Sequence, residues 1–176
     1  MRFILFLFSF FFGNLIWAQE AVNPIIKQFG GIYDIESASV KPDPTLVYRV
    51  VVDLYSGSED PSVLNAALNN VARMLNLHAI GGVHPDSLHV VLAIHGGATK
   101  CVLSNQDYRQ RYSVDNPNLK LLDALSEAGV TLTVCGQSLI GRAIDVTEVS
   151  EAVQISTSML TTVTTYQQRG YALLKF

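Results

Sequence analysis

Short apolar segments alternate along this chain with segments of helical periodicity, and this alternation restricts the fold more than any other feature. Runs that are apolar almost throughout are typical of strands covered on both faces, which parallel sheets require. The sequence therefore predicts an α/β protein, a three-layer α/β/α arrangement with a mostly parallel sheet of about five strands. The predicted strands are YRVVVDLYSG after Leu46, Leu88–Ile94, Val130–Val134, Val153–Ile155 and Tyr171–Lys175. Four helices are predicted. The first begins with a cap at Ser58 or Asp60 and ends before Gly81, and the second covers Asn118–Ala128. The third begins near Ser138, and the fourth covers Thr157–Arg169.

The first eighteen residues have the pattern of a secretory signal peptide. Arg2 precedes an apolar run over Phe3–Phe12, and Trp17, Ala18 and Gln19 follow. The run is short for a membrane span, and polar residues come after it, so cleavage after Ala18 and export to the periplasm or the extracellular space are expected. An uncleaved membrane anchor is the alternative; after cleavage no membrane contact is expected.

Two further segments follow the predicted signal peptide. Residues 19–45 are rich in Pro, Gly and short polar side chains and predict an irregular lead-in, and residues 46–176 predict a single domain. Between residues 98 and 116, only short helical turns and a loop are expected. Removal of Arg2 with the signal peptide changes the formal net charge from −3 to −4. A mildly acidic domain without a basic cluster does not favour nucleic-acid binding.

Neither a metal site nor a cofactor site is predicted. The three histidines His78, His84 and His89 lack the spacing of a zinc site with Cys101. The turn Ser56–Ser58 joins a strand to a helix but lacks the Gly-Lys-Ser/Thr ending of a phosphate loop, and acidic residues follow it.

Cys135 is the leading candidate for a reactive group. It ends the strand of the segment GVTLTVCGQSLIGRAI, and Gly136 is predicted to form the turn before the next helix. Backbone N–H groups at a helix N-terminus favour a thiolate, the form that attacks electrophiles and carries sulfur. A small buried hydrophobic residue is the alternative role for this cysteine.

Three other residues are candidate partners of Cys135. His95 ends a strand at the same sheet edge, so it could orient or deprotonate the thiol if the two strands are neighbours, or simply cap a tight turn. Arg142 could lower the pKa of the thiol, or pair with Asp145 or Glu148 at the surface. Cys101 could be inert, a resolving thiol or a disulfide partner.

The segment GVTLTVCGQSLIGRAIDVTE and the terminal YQQRGYALLKF resemble the DsrE/DsrF/TusD group of sulfur relay proteins. The resemblance extends from about Leu46 to Phe176. It implies a small α/β fold and a homo- or hetero-oligomer, often a trimer or hexamer. It also implies a persulfide sulfur that Cys135 accepts from a donor protein and passes to an acceptor.

Two functional hypotheses follow from these observations. The first is an exported sulfur carrier that uses Cys135, with His95 and Arg142 as candidate supporting residues. The second is a non-catalytic oligomeric module that retains the fold and binds a small ligand or a partner near Cys135. Thiol reactivity separates them, since a carrier needs a depressed thiol pKa. Helix Ser156–Tyr166 is rich in threonine, which gives slight support to oligomerisation.

Overall fold

A five-stranded, all-parallel sheet forms the centre of the protein in a computed structural model that describes residues 19–176. Its strands are β1 (Tyr48–Leu54), β2 (Leu88–Ile94), β3 (Thr131–Cys135), β4 (Gln154–Ser156) and β5 (Ala172–Lys175). They lie in the order β4-β3-β2-β1-β5, with helices on both sides. This arrangement confirms the predicted α/β class and the parallel sheet. The predicted signal peptide, residues 1–18, lies outside the described residues.

The helices are α1 (Ala66–Ile80), α2 (Asn105–Tyr112), α3 (Leu119–Glu127), α4 (Gly136–Gly141) and α5 (Met159–Gln168). Helices α1 to α4 contribute to the large core on one face of the sheet, together with Val52, Leu92 and Val134. On the other face, Val163 of α5 packs against Val51, Val91 and Ala93. Within residues 19–176, no helix is both long and apolar enough to cross a bilayer.

Two predicted helix starts are wrong, and one segment holds a longer helix than expected. Helix α1 begins at Ala66 rather than near Ser58–Pro61, because the Asp60 carboxylate accepts hydrogen bonds from Ser62 in a local turn. The segment 98–116 contains the two-turn helix α2, which Ser104 caps, where only short turns were expected. Helix α4 begins at Gly136 itself rather than near Ser138, because Cys135 already occupies the N-cap position.

The predicted lead-in is irregular, but it is firmly docked on the domain. Ile26 and Ile32 are buried, and Gly30 adopts a φ of +65° where it passes over the backbone of Ala72 and Arg73. A Cβ atom at position 30 would lie only 2.4 Å from the Arg73 nitrogen, so glycine is required for this close approach. The lead-in therefore forms a layer over the outer side of α1.

Ala143 is the one residue near the end of α4 that adopts a left-handed conformation, with a φ of +50°. Its N–H donates to Ile140 and the Ile144 N–H donates to Leu139, which is the Schellman pattern of helix termination. We expect Ala143→Gly to raise the free energy of unfolding by about 0.5 to 1 kcal/mol, because glycine has no Cβ penalty in this conformation. Urea denaturation measures the change.

Ala128→Gly is the matched control for this substitution. Ala128 ends α3 with an ordinary φ of −79°, so glycine there should lower the free energy of unfolding. Equal effects of the two substitutions would contradict a conformational penalty at Ala143.

Candidate functional site

Cys135 lies at the carboxyl edge of the sheet, where β3 meets the N-termini of two helices. It is both the last residue of β3 and the N-cap of α4, and Ser158, the N-cap of α5, lies beside it. Next to it, Gly136 leaves room for β4, since a Cβ there would lie 2.9 Å from the Ser156 carbonyl oxygen. Only 4% of Cys135 is exposed.

The surroundings of the Cys135 thiol favour its ionised form. Burial by itself raises the pKa of the thiol, because it removes water from the charged form. Hydrogen bonds from the Met159 backbone N–H, from the side chain and backbone of Ser138 and from the Ser158 hydroxyl act in the opposite direction. Together they outweigh burial, so the pKa of Cys135 lies below its ordinary value of 9.0. The Sγ atom lies 3.9 Å from the Ser158 Oγ.

The residues that sequence reasoning missed are Ser138, Ser158 and Met159. Ser158 and Met159 belong to α5, which packs across the sheet and brings its N-terminus back to β3. Serine is a common N-cap, so Ser158 could have been predicted to begin this helix and to lie at the sheet edge. The helix was instead predicted to begin one residue earlier, at Thr157.

We expect Ser138→Ala to raise the pKa of the Cys135 thiol and to slow its alkylation at neutral pH by about 3-fold to 10-fold. The substitution removes one hydroxyl that supports the thiolate and leaves the backbone of α4 intact. Stopped-flow alkylation as a function of pH measures both quantities.

Ser156→Ala is the control, since Ser156 adjoins Cys135 in the sheet but its hydroxyl donates to the Val134 carbonyl oxygen. An identical alkylation profile for wild type and Ser138→Ala would contradict a role for the Ser138 hydroxyl.

His95 forms a close pair with Asp53. The His95 Nε2 lies 2.5 Å from the Asp53 Oδ1, and the two side chains are 16% and 12% exposed. Lys175 of β5 lies 4.0 Å from the other carboxylate oxygen, and the Tyr55 ring packs 5.2 Å from the imidazole. The groups that shift the pKa of Cys135 do not include His95.

Arg142 lies at the exposed C-terminus of α4. In the described part of the chain, no ion pair involves Arg142, and it is not among the groups that shift the pKa of Cys135. Glu148 pairs instead with Arg111, and the Glu148 Oε2 lies 2.7 Å from the Arg111 Nη2. Asp145 caps the short helical turn Val146–Glu148. The roles of Cys135, His95 and Arg142 in a reaction remain predictions.

Cys101 and Cys135 are both free thiols, although a disulfide between them was one alternative. Cys101 is completely buried, and burial raises the pKa of its thiol to about 12. These properties are those of an inert core cysteine.

A groove beside Cys135 runs between α5 and β4. It has a volume of about 400 Å³ and is lined mainly by hydroxyl side chains, among them Thr133, Ser156, Thr157 and Thr161. Ser156, which lines the groove, is the residue that pairs with Cys135 in the sheet. Among residues 19–176, no cluster of His, Cys, Asp and Glu could hold a metal ion.

Comparisons with known proteins agree with this architecture. Residues 49–176 match the model of the DsrE/DsrF-like family. A protein of unknown function, MTH1491 from Methanobacterium thermoautotrophicum, has a similar structure, with a TM-score of 0.54 and 17% identity over 73% of this chain and 99% of that one. The ychN protein from E. coli has a TM-score of 0.49 and 16% identity, with the same shares covered. No curated protein matches the chain.

Proposed function

The chain belongs to the DsrE/DsrF-like family, and from this premise we propose that it is an exported sulfur carrier in which Cys135 accepts and passes on a sulfane sulfur. The family is linked to sulfur relay. The observation that carries the proposal is the buried Cys135 thiol between two helix N-termini, with a pKa below its ordinary value. A depressed pKa supplies the thiolate that this chemistry needs.

The transfer step conserves atoms and electrons. The Cys135 thiolate attacks the outer sulfur of a donor persulfide, R–S–SH, and forms a new S–S bond. The old S–S bond breaks, and its electron pair leaves with R–S⁻, which takes up one proton. Cys135–S–SH and R–SH result, and attack by an acceptor thiolate on the outer sulfur of Cys135–S–SH passes the sulfur on. No metal or organic cofactor takes part in the proposed step.

The experiment is intact-mass measurement after exposure to a persulfide donor. Wild type should gain one sulfur atom, about 32 Da, and Cys135→Ser should gain none. Cys101→Ala should load like wild type, since Cys101 is buried and its thiol pKa is about 12. Absence of loading in a wild-type protein with free thiols would contradict the carrier.

Oligomerisation is part of the proposal. The two edge strands of the sheet, β4 and β5, leave apolar side chains exposed, namely Ile155, Leu173 and Leu174. Edge strands with exposed apolar residues favour pairing with another chain. We expect light scattering to give the mass of a homo-trimer or homo-hexamer, and a monomer at micromolar concentration would contradict this.

Export is the remaining part of the proposal. It rests on the apolar N-terminal segment and predicts a mature protein that begins at Gln19. N-terminal sequencing of the protein from its native source tests both the export and the cleavage site. An intact N-terminus would contradict cleavage.

A non-catalytic binding module is the second candidate. The groove lined by hydroxyl groups between α5 and β4 favours it, because its side chains can hydrogen-bond a small polar ligand and one of them, Ser156, pairs with Cys135 in the sheet. A reactive Cys135 that nevertheless accepts no sulfur from any persulfide donor would support this candidate over the carrier.

A further inference from the structure

The Asp53–His95 pair lies on the same face and at the same edge of the sheet as Cys135. Strand β2 lies between β1 and β3, and the pairing of Ile94 with Val134 makes His95 and Cys135 the next positions on the two strands. His95 continues β2 with extended backbone, and its N–H donates to the Leu54 carbonyl oxygen. Asp53 pairs with Ala93, which lies two residues before His95 and packs on the α5 face of the sheet. Because strand side chains alternate between the two faces, Asp53, His95 and Cys135 all lie on the α5 face.

The groups around Cys135 stabilise its thiolate, but none of them takes up the proton that the thiol releases. The groups around it are two backbone N–H groups and two serine hydroxyls, which donate to the anion without accepting its proton. A proton delivered to the departing sulfur also assists a persulfide exchange, since an alkyl thiolate leaves more slowly than a thiolate of lower pKa. A titratable group next to Cys135 would meet both needs.

His95 has one ring nitrogen committed and one open. Nε2 binds the Asp53 carboxylate, and within residues 19–176 no hydrogen bond uses Nδ1. A carboxylate on one nitrogen fixes the tautomer and orientation of an imidazole and stabilises the imidazolium that forms when the other nitrogen takes a proton. The charged or titratable groups that contact the ring or its carboxylate partner are Asp53, Lys175 and Tyr55. The strand register places Cys135 on the neighbouring strand, on the same face of the sheet.

We propose that His95 carries the proton between the two sulfurs of the exchange at Cys135, and that Asp53 is the positioning residue that holds His95 for this task. The inference rests on the proposed function. Nδ1 accepts the proton that the Cys135 thiol releases. The thiolate attacks the outer sulfur of R–S–SH, the S–S bond breaks, and Nδ1 returns the proton to R–S⁻. The net reaction converts Cys135–SH and R–S–SH into Cys135–S–SH and R–SH.

The test compares two reagents, of which only one benefits from a proton at the leaving sulfur. Glutathione persulfide releases an alkyl thiolate, whereas an aromatic disulfide releases nitrothiobenzoate, which is stable as an anion. Both rates are measured in single turnover for Asp53→Asn and His95→Gln. The matched controls are Asp86→Asn and His84→Gln, because His84 and Asp86 form a similar pair on the surface, 3.5 Å apart and 73% and 93% exposed.

Loading from glutathione persulfide should fall by about 100-fold in His95→Gln and about 10-fold in Asp53→Asn. Reaction with the aromatic disulfide requires only uptake of the Cys135 proton, so it should fall by a smaller factor, about 10-fold in His95→Gln and about 3-fold in Asp53→Asn, and the controls should match wild type in both reactions. Nitrogen-15 NMR of the His95 ring should show a protonated Nε2 and a bare Nδ1 in wild type, with a changed tautomer ratio in Asp53→Asn.

Equal effects on the two reagents, or no effect on either, would overturn the proton transfer while leaving the carrier intact. An unchanged His95 tautomer in Asp53→Asn would overturn the positioning role. A wild type that reacts with the aromatic disulfide but never loads sulfur would instead contradict the carrier, and the role of His95 with it.

Discussion

Native protein exposed to iodoacetamide at pH 7.5 should be alkylated at Cys135 at least about 1000-fold faster than at Cys101. The thiolate is the reacting species, and its fraction falls tenfold for each unit by which the pKa exceeds the pH. Burial raises the pKa of Cys101 to about 12, whereas hydrogen bonds lower the pKa of Cys135 below 9.0. Complete burial of Cys101 reduces its rate further, because a reagent reaches it only when the core opens.

Mass spectrometry of the labelled peptides, sampled over time at several pH values, measures this difference. The rate at Cys135 should rise with pH and reach half of its maximum below pH 9.0, in the direction of its pKa shift. Concentrated urea is the control, since unfolding should give both thiols the same rate. Comparable labelling of the two cysteines in the native protein would contradict the environments described for them.

The sequence contained enough information to predict the sheet and the place of Cys135 on it. Apolar runs identify buried strands, and parallel strands bring their carboxyl ends to one edge, so Cys135 and His95 could both be placed there. Local patterns carry this information. The same patterns identified α3, because its leucines repeat at helical spacing and the helix ends before Gly129.

The partners of these residues depend on contacts between distant parts of the chain, which local patterns do not encode. Ser158 approaches Cys135 from 23 residues away, and Asp53 meets His95 across 42 residues. A long-range contact also supports the start of α1 after the local turn at Asp60, because Asn65 caps the helix while its own N–H donates to the buried Asn118 side chain. Only the packed structure could identify these pairs.

The docked lead-in depends on a second buried asparagine, Asn76. Its Oδ1 accepts the N–H groups of Ile25 and Ile26, each at 2.9 Å, and its Nδ2 donates to the carbonyl oxygens of Phe29 and Gly30. Asn76 is completely buried on α1. The family match begins only at Arg49, so these four bonds attach a segment outside it to the matched domain.

We expect Asn76→Ala to lower the free energy of unfolding by about 2 to 4 kcal/mol. Truncation leaves three backbone groups without partners, the N–H groups of Ile25 and Ile26 and the carbonyl oxygen of Gly30, each of which costs about 1 to 3 kcal/mol if it stays buried. The Phe29 carbonyl oxygen keeps its bond from the Asn23 side chain. Release of the lead-in limits the total cost, because water then satisfies these groups while the buried surface of Ile26 is lost. Urea denaturation measures the stability, and limited proteolysis should show new cleavage between residues 19 and 45.

Asn70→Ala is the matched control. Asn70 lies on the same helix but is exposed, so alanine there should leave stability unchanged or raise it slightly through helix propensity. Cys135 should keep its alkylation rate in Asn76→Ala, because its hydrogen-bond partners belong to α4 and α5 rather than to α1 or the lead-in. A loss of stability as small as that of the control would show that Asn76 does not hold the lead-in in place.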